Sequence, residues 1–291
     1  MSEGTAWLVT GATGQLGTEL RRVLAGQDVT ALGRAQLDLT DETQVRGVVS
    51  RWRDDAVARG ARPVVLNAAA YTAVDAAETD EETANRVNGQ APGWLAEELA
   101  GTGRLVHVST DYVFAGDATA PYTVDDEPAP RTAYGRTKLA GEQAVAAVGD
   151  DAVVVRTAWV YAAHGSNFVR TMLRLEAERD EVSVVDDQTG SPTSAADLAA
   201  GLVEAAQAPV RGVLHGTNTG STTWFGFARL VFELAGADPE RVRPTTTDAF
   251  PRPAPRPAWS VLDPASWVAA GLTPLPAWQE SVRACVATLR G

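Results

Sequence analysis

Three glycines near the N-terminus constrain the fold of this chain more than any other feature of its sequence. Gly11, Gly14 and Gly17 lie in VTGATGQLG, between the strand-like segment 6–10 and a predicted helix over 15–24. A glycine-rich turn from strand to helix allows close backbone approach to a pyrophosphate and presents the free N–H groups of the helix N-terminus to it. The pattern therefore predicts a dinucleotide-binding βα unit.

Short apolar segments alternate with helical patterns through the first half of the chain. Strands are predicted over 6–10, 28–32, 62–70, 104–110 and 152–161, and helices over 15–24, 41–58, 81–100 and 133–148. Buried strands separated by helices are typical of a parallel sheet with helices on both faces. We therefore predict an α/β fold with a doubly wound parallel sheet, a Rossmann domain, over residues 1–157.

The alternation is less regular in residues 158–291, which are predicted to form mainly a smaller, interleaved C-terminal substrate domain. Helical or strand-like segments there are 167–178, 182–187, 212–217 and 277–289. The segment 182–217 is expected to return to the first domain. Five prolines between residues 244 and 257 indicate a linker or an ordered surface loop.

Composition excludes several classes of function. The chain has 25 Lys and Arg against 37 Asp and Glu, a formal net charge of −12, and no basic block, so neither nucleic acid nor an anionic membrane is an expected partner. Cys285 is the only cysteine, so no internal disulfide can form. The N-terminal segment has no signal-peptide pattern and no apolar run approaches about 18 residues, which favours a cytoplasmic protein.

The end of the second predicted strand bears on the choice of cofactor. An NAD-specific site usually has an acidic residue there to bind the ribose 2′-OH. This chain has Gly33 at that point, followed by Arg34, which can pair with a 2′-phosphate. We therefore expect NADPH to be preferred, with NADH possible; the alternative is that Arg34 is a solvated loop residue.

Tyr134 and Lys138 lie four residues apart in YGRTK, on one face of a predicted helix. A nearby ammonium favours the phenolate and lowers the pKa of a phenol, so the pair can exchange a proton with a carbonyl oxygen. This spacing alone is common on exposed helices. Thr110 and Asp111, at the carboxyl end of the fourth predicted strand, lie where the ligand crevice of such a sheet forms, and the Thr110 hydroxyl can bind the same oxygen.

Glycine loop, Ser/Thr and Y-x-x-x-K follow the order of the short-chain dehydrogenase/reductase superfamily, and longer motifs resemble one of its families. They are NAAAYTAVDAAE (67–78), VSTDYVF (108–114), YGRTKLAGE (134–142), RTAWVY (156–161), NFVRTML (167–173) and VVDDQTGSPT (184–193). Together they resemble the dTDP-4-dehydrorhamnose reductase family over essentially the whole chain. The resemblance implies that NAD(P)H delivers hydride to C4 of a dTDP-4-keto-6-deoxy sugar, giving dTDP-L-rhamnose.

The resemblance also implies roles for individual residues. Cofactor binding falls to Gly11, Gly14, Gln15, Leu16, Gly17, Arg34, Asp38, Leu39, Ala68, Ala69, Ala70, Tyr134 and Lys138. Substrate binding falls to Thr110, Asp111, Trp159, Asn167 and Arg256. Tyr134 would protonate the C4 alkoxide, Lys138 would lower the tyrosine pKa and hold the nicotinamide ribose, and Thr110 would bind the carbonyl. Alternatively, Trp159 packs in the core, Asn167 caps a helix and Arg256 is solvated.

Some members of the family are described as Mg²⁺-containing homodimers, and this chain lacks most of the acidic residues that such a site would use. Glu19 matches one ligand, but Ala196 occupies the second position with Asp197 one residue further on, and the final helix has no acid in ACVATLRG. One step along a helix turns a side chain by about 100°. We therefore expect no bound metal, and a monomer or a weak homodimer.

Other functions remain open from the sequence. A sister reductase of an antibiotic deoxysugar or dihydrostreptose pathway would keep the same catalytic residues. A non-catalytic nucleotide-binding regulatory subunit would keep the fold, although loss of Tyr134 or Lys138 would then be expected. An epimerase or dehydratase is a further alternative; a dehydratase would have a second acid at position 112, where this chain has Tyr112.

Overall fold

A six-stranded parallel sheet forms the centre of the computed structural model, which describes residues 4–149 and 151–290. The strands are β1 (Thr5–Thr10), β2 (Asp28–Leu32), β3 (Arg62–Asn67), β4 (Arg104–Thr110), β5 (Ala152–Thr157), β6 (Val160–Tyr161), β7 (Val182–Val185), β8 (Thr189–Gly190), β9 (Thr193–Ser194), β10 (Gly212–His215), β11 (Thr222–Thr223) and β12 (Val242–Thr245). The α-helices are α1 (Gln15–Val23), α2 (Glu42–Ala58), α3 (Val74–Ala77), α4 (Glu81–Asn85), α5 (Ala91–Leu99), α6 (Ala133–Val148), α7 (Phe168–Glu178), α8 (Ala195–Gln207), α9 (Trp224–Leu234), α10 (Ala265–Ala269) and α11 (Trp278–Arg290). A π-helical turn, Arg86–Gln90, joins α4 to α5, and 3-10 turns cover Asp111–Val113, Pro239–Arg241 and Thr247–Ala249.

The strand order in the large sheet is β10-β5-β4-β3-β1-β2, and all neighbouring strands are parallel. From β1, the chain adds β2 on one side and β3 on the other, so the order reverses between β1 and β3. Ligands of doubly wound sheets bind outside the carboxyl ends of the strands at such a point. The predicted α/β doubly wound fold is confirmed.

The two faces of the sheet bury separate apolar clusters, because successive strand side chains point to opposite sides. On β1, Trp7 and Val9 belong to the cluster that contains residues of α1 and α8, whereas Leu8 belongs to the cluster formed with α2, α5 and α6. Among the described residues, no helix is both long and apolar enough to cross a membrane.

A third apolar cluster lies outside the large sheet, and it includes Met172 of α7, Phe227 of α9 and Val282 of α11. β7 pairs with β12 beside this cluster. β7 therefore lies outside the large sheet, whereas β10 pairs with β5 and α8 packs on that sheet. The return of the segment 182–217 to the first domain stays a prediction. The division of the chain at residue 157 stays a prediction.

Two predicted elements are interrupted in the structure. The strand predicted over 152–161 breaks at Trp159, whose φ of +47° is incompatible with a strand. The helix predicted over 81–100 is divided by the π turn Arg86–Gln90. Four helices escaped the sequence-based prediction, of which α3 and α10 are only four and five residues long. The two longer ones are α8, in which the many alanines weaken the apolar periodicity, and α9, which is apolar on most sides.

Candidate active site

Gly11 and Gly17 occupy positions at which a side chain has no room. A Cβ atom on Gly11, whose φ is +65°, would lie 2.7 Å from the Cα atom of Ala69. A Cβ atom on Gly17 would lie 2.1 Å from the carbonyl oxygen of Gly11. Gly14 is the N-cap of α1 and supplies no side-chain cap, so the N–H groups of the first turn are available to an anion. The loop thus has the geometry that pyrophosphate binding requires.

A cavity of about 1210 Å³ extends from this loop across the carboxyl ends of the central strands. The predicted cofactor residues that line it are Gly11, Gly14, Gln15, Leu16, Arg34, Asp38, Leu39, Ala68, Ala69, Ala70, Tyr134 and Lys138. The predicted substrate residues that line it are Thr110, Asp111, Trp159 and Arg256. One cavity therefore contains all of the predicted cofactor and substrate residues except Gly17 and Asn167. Gly17 packs against the backbone of Gly11 in the glycine loop.

Thr110, Tyr134 and Lys138 meet at the carboxyl end of β4. Thr110 is the last residue of that strand, and the other two lie on successive turns of α6. The helix begins directly after Thr132, whose hydroxyl accepts a hydrogen bond from the N–H of Gly135 at 3.0 Å. The Thr110 hydroxyl lies within hydrogen-bonding reach of the Tyr134 phenol. A substrate carbonyl oxygen at this point can interact with both hydroxyls.

The phenol of Tyr134 is held in its protonated form. Burial raises its pKa to about 12; the hydrogen bond with Thr110 opposes this shift, and the Asp111 carboxylate adds to it. The expected lowering of the Tyr134 pKa by Lys138 is therefore wrong for this structure. The Lys138 ammonium instead donates to the carbonyl oxygen of Val108 at 2.6 Å. A phenol that keeps its proton at neutral pH can protonate the alkoxide formed when a carbonyl is reduced.

Two charged groups beside the phenol are deeply buried. Burial lowers the pKa of Lys138 to about 8, against the effect of the Glu142 carboxylate. Burial raises the pKa of Asp111 to about 6, although Ser260 and Thr110 favour its charged form. Thr110 donates to Oδ1 of Asp111 at 2.9 Å, whereas Ser260 does not reach Oδ2 with normal hydrogen-bond geometry. Oδ2 is therefore a buried acceptor at the edge of the cavity.

Arg34 and Asp38 line the end of the cavity beside β2. Arg34 is exposed, and Gly33 before it faces Thr13, whose methyl carbon would lie 3.1 Å from an added Cβ. The backbone N–H and hydroxyl of Thr40 both donate to Asp38, which lowers the pKa of that carboxyl. The guanidinium of Arg34 is thus the positive group available to an anion at this end.

The side chain of Trp159 forms a wall of the cavity and is fixed from two directions. Its indole stacks on that of Trp224, with ring centroids 3.6 Å apart and planes at 8°. A Cβ on Gly190 would lie 2.4 Å from the same indole, so only glycine fits beneath it. The ring packs against the C-terminal apolar cluster and also lines the cavity, and its contact with substrate stays a prediction.

Asn167 has the capping role that was its alternative interpretation. Its Oδ1 accepts from the N–H of Arg170 at 3.2 Å, and its Nδ2 donates to Oε1 of Gln15 at 2.9 Å. Ser166 and Phe168 line the cavity, but Asn167 between them does not. Contact of Asn167 with substrate stays a prediction.

Arg256 joins the proline-rich loop to the first domain. It donates to Oδ2 of Asp75, on α3, at 2.7 Å, and to the carbonyl oxygen of Ala254 at 2.9 Å. Arg252, on the same loop, also lines the cavity and is exposed. The loop therefore brings two guanidinium groups to the cavity, and that of Arg256 is paired with Asp75.

Sequence reasoning missed Asn88, Trp224, Arg252 and Ser260. Asn88 lies in the π turn, where its Oδ1 accepts from the Tyr71 N–H at 2.8 Å and its Nδ2 donates to the Thr137 hydroxyl at 3.2 Å. It thus ties the segment after β3 to the turn of α6 between Tyr134 and Lys138. The sequence gives no local signal for this role, because the segment around Asn88 holds several polar residues and the partners of Asn88 are distant in sequence.

Glu19 and Asp197, the two acidic residues considered as metal ligands, form hydrogen bonds with other residues of the chain. Glu19 accepts from Arg22 and lies 2.7 Å from Nε2 of His164. Asp197 accepts from Asn218 at 2.9 Å and from the Ser281 hydroxyl. Within residues 4–149 and 151–290, no group of three or more His, Cys, Asp or Glu side chains is arranged to hold a metal ion.

Comparison with known proteins relates this site to one family. The family model described as "RmlD substrate binding domain" matches residues 5–290. A probable dTDP-4,6-dihydroxy-2-methyloxan-3-one 4-ketoreductase of Streptomyces antibioticus is 51% identical over 282 residues, which cover 95% of this chain and 93% of that protein. A dTDP-4-dehydrorhamnose reductase of Streptomyces griseus is 50% identical over 285 residues, covering 95% and 91%.

A solved structure gives the same relationship. The dTDP-4-dehydrorhamnose reductase of Bacillus anthracis, in complex with NADP, superimposes with a TM-score of 0.91 and 36% sequence identity. The match covers 98% of this chain and 99% of that one.

Proposed function

Because the chain belongs to the dTDP-4-dehydrorhamnose reductase family, we propose that it uses NADPH to reduce the C4 ketone of dTDP-4-dehydro-L-rhamnose to dTDP-L-rhamnose. The observation that carries the proposal is the convergence of Thr110, Tyr134 and Lys138 in the same cavity as the glycine loop. The same convergence, with both Tyr134 and Lys138 in place, argues against a non-catalytic regulatory subunit.

The residues present fit a dinucleotide with a 2′-phosphate. Gly11 and Gly17 leave the close approach that a pyrophosphate needs, and the uncapped first turn of α1 faces it. Arg34 supplies a cation where an NAD-specific site has an acid. The reductase of Bacillus anthracis that superimposes on this chain was solved with NADP.

The bound cofactor would supply the hydride, and the protein would supply the proton. Tyr134 gives its phenolic proton to the C4 oxygen as negative charge develops on it. The Thr110 hydroxyl, which donates to Asp111 in this structure, can rotate to donate its single proton to the same oxygen when substrate binds. The buried Lys138 ammonium provides positive charge beneath the site and a hydrogen-bond donor for a ribose hydroxyl. Trp159 closes one side of the cavity against water, and Asp111 offers an acceptor to a sugar hydroxyl.

A different dTDP-4-keto sugar is the alternative substrate, because the ketoreductase of Streptomyces antibioticus is as similar to this chain as the rhamnose enzymes are.

The purified protein should oxidise NADPH with dTDP-4-dehydro-L-rhamnose and yield dTDP-L-rhamnose, identified by NMR and chromatography. Parallel assays with dTDP-4-keto-6-deoxy-D-glucose and other dTDP-4-keto sugars serve as controls. A clearly higher kcat/KM with one of those sugars would assign the protein to a sister pathway.

Arg34→Ala should change the cofactor preference. The variant loses the cation that pairs with the 2′-phosphate, and a charge-assisted hydrogen bond is worth roughly 1.5–3 kcal/mol, so we expect the NADPH/NADH preference to fall by about tenfold or more. Steady-state kinetics with both cofactors measure this. Arg21→Ala, which removes a cation from α1 without touching the cavity, is the matched control. Equal losses of kcat/KM with NADPH and NADH would show that Arg34 does not bind the 2′-phosphate.

EDTA should leave the activity unchanged. Glu19 and Asp197 already have partners within the protein, and a bridging Mg²⁺ would need several free oxygen ligands. Dialysis against EDTA, metal analysis and assays with and without added Mg²⁺ measure this. Loss of activity to EDTA that Mg²⁺ restores would contradict the prediction.

Because a bridging Mg²⁺ is not expected, we also propose that the protein is a monomer or a weak homodimer. We propose a cytoplasmic location, as expected from the sequence.

A further inference from the structure

His107 is fully buried and has no role in the chemistry above. It lies on β4 beside Asn67 of β3, and both residues have no exposed surface. The helix α6 crosses this part of β4, with the Lys138 ammonium above His107 and the Glu142 carboxylate above Ser109. Four residues of helix and two of strand span nearly the same distance, about 6–7 Å, so the two pairs match along the contact.

Only one of the two positive charges in this buried strip has an acidic partner. The Arg156 guanidinium donates to both carboxylate oxygens of Glu142, and the Ser109 hydroxyl also donates to Oε1. Lys138 has instead the carbonyl oxygen of Val108, at 2.6 Å, and the Nε2 atom of His107, at 3.5 Å. Its remaining N–H can then face the cavity that Lys138 lines.

We infer that His107 is a positioning residue for Lys138: as a neutral ring, it accepts from the ammonium through Nε2 and fixes the direction of Nζ towards the cavity. The inference rests on the proposed function, in which Lys138 acts as the ammonium of the active site. A protonated ring is unfavourable here, because burial and the adjacent Lys138 charge both hold the His107 pKa well below its usual range.

The residues behind His107 can set the tautomer that this role requires. Its Nδ1 lies 3.0 Å from the carboxamide nitrogen of Asn67, whose oxygen lies 2.6 Å from the Thr10 hydroxyl. In this orientation Nδ1 of His107 accepts from Asn67, so the ring proton lies on Nε2. That N–H would then face the N–H groups of the Lys138 ammonium, and two donors cannot form a hydrogen bond. A half-turn of the carboxamide lets Asn67 accept from Nδ1–H and donate to Thr10, which frees Nε2 to accept. A charged Lys138 therefore selects the second arrangement.

The first experiment compares His107→Leu with His107→Gln. Leucine fills the space without an acceptor, whereas the glutamine oxygen can reach the position of Nε2. We expect His107→Leu to lower kcat by about 10–100-fold with little change in the KM for the sugar, because a misplaced catalytic group loses transition-state interactions. His107→Gln should restore most of the loss. His215→Gln is the matched control, since His215 is equally buried but has no contact with Lys138.

The pH dependence supplies a signature that loss of packing does not. The charged and titratable groups nearest Lys138 are Glu142 and Tyr134 on α6, His107 on β4 and, through Glu142, Arg156 on β5. Removing the acceptor favours the neutral amine, so the alkaline limb of the kcat profile should move about one pH unit lower in His107→Leu. An unchanged profile, or a glutamine variant as impaired as the leucine variant, would overturn the inference.

A measurement without substrate separates this inference from the proposed function. In ¹⁵N-histidine-labelled protein, the His107 signals are those lost in His107→Gln. We expect a neutral ring with Nε2 unprotonated at pH 7, and a shift of its Nε2 resonance as Lys138 titrates that is absent in Lys138→Met. Protonated Nε2 at pH 7 would overturn the inference even if the enzyme is active. The expected signals in a protein that reduces no dTDP-4-keto sugar would instead count against the proposed function alone.

Discussion

Tyr134→Phe is expected to lower the turnover of the dTDP-4-keto sugar by about 10²–10⁴-fold, the usual contribution of a general acid. The variant loses only the phenolic hydroxyl, which lies beside Thr110 and keeps its proton at neutral pH because burial raises its pKa to about 12. The ring can keep its edge-on packing with Tyr112, at 5.5 Å between centroids, so the fold should persist. Single-turnover kinetics and NADPH titration measure the effect on chemistry and on binding separately.

Tyr112→Phe is the matched control for this prediction. It removes a neighbouring phenolic hydroxyl from the same cavity wall, and burial likewise raises the pKa of Tyr112. We expect a far smaller loss of turnover, because the Thr110 hydroxyl lies within reach of the Tyr134 phenol. Near-normal turnover of Tyr134→Phe, or equal losses in the two variants, would remove Tyr134 from the role of proton donor.

Asp111→Asn is expected to stabilise the protein at neutral pH while it lowers activity. Burial raises the pKa of Asp111 from 3.8 to about 6, so the folded state favours the protonated carboxyl. Above pH 6 the fold must hold this group charged, which costs at most about 3 kcal/mol from the difference in pKa. The neutral amide avoids this cost, and the nearby Ser260 hydroxyl can accept from its new N–H group.

The destabilisation that Asp111 causes depends on pH, because only the charged carboxylate is unfavourable in the folded state. The destabilisation by Asp111 is absent below the unfolded pKa, grows as pH rises towards the folded pKa of about 6, and is constant above it. The gain in the free energy of unfolding, measured by urea titration without ligands, should therefore be largest at pH 7.5 and fall to about half near pH 5. Asp125→Asn, at an exposed position, should show no such gain. A gain independent of pH, or a loss at pH 7.5, would contradict the explanation.

The sequence alone determined those features that follow from local geometry and periodicity. Gly11, Gly14 and Gly17 predicted the phosphate-binding turn, in which the left-handed φ of Gly11 and the close backbone contacts at Gly11 and Gly17 tolerate no side chain. The spacing of Tyr134 and Lys138 placed both on one helix face, and the strand pattern placed Thr110 at a carboxyl end. Relatives with about half of their residues identical confirm the family that these motifs indicated.

The features that the sequence left undecided depend on contacts between residues distant along the chain. Asn167 is a cap with a partner on α1, Asn88 joins two segments through a π turn, and β7 pairs outside the large sheet, and none of these contacts has a local pattern. The pKa of Tyr134 shows the same division. The spacing predicted that Lys138 would lower it, but the tertiary structure buries the phenol and turns the ammonium towards Val108, so desolvation decides the direction of the shift.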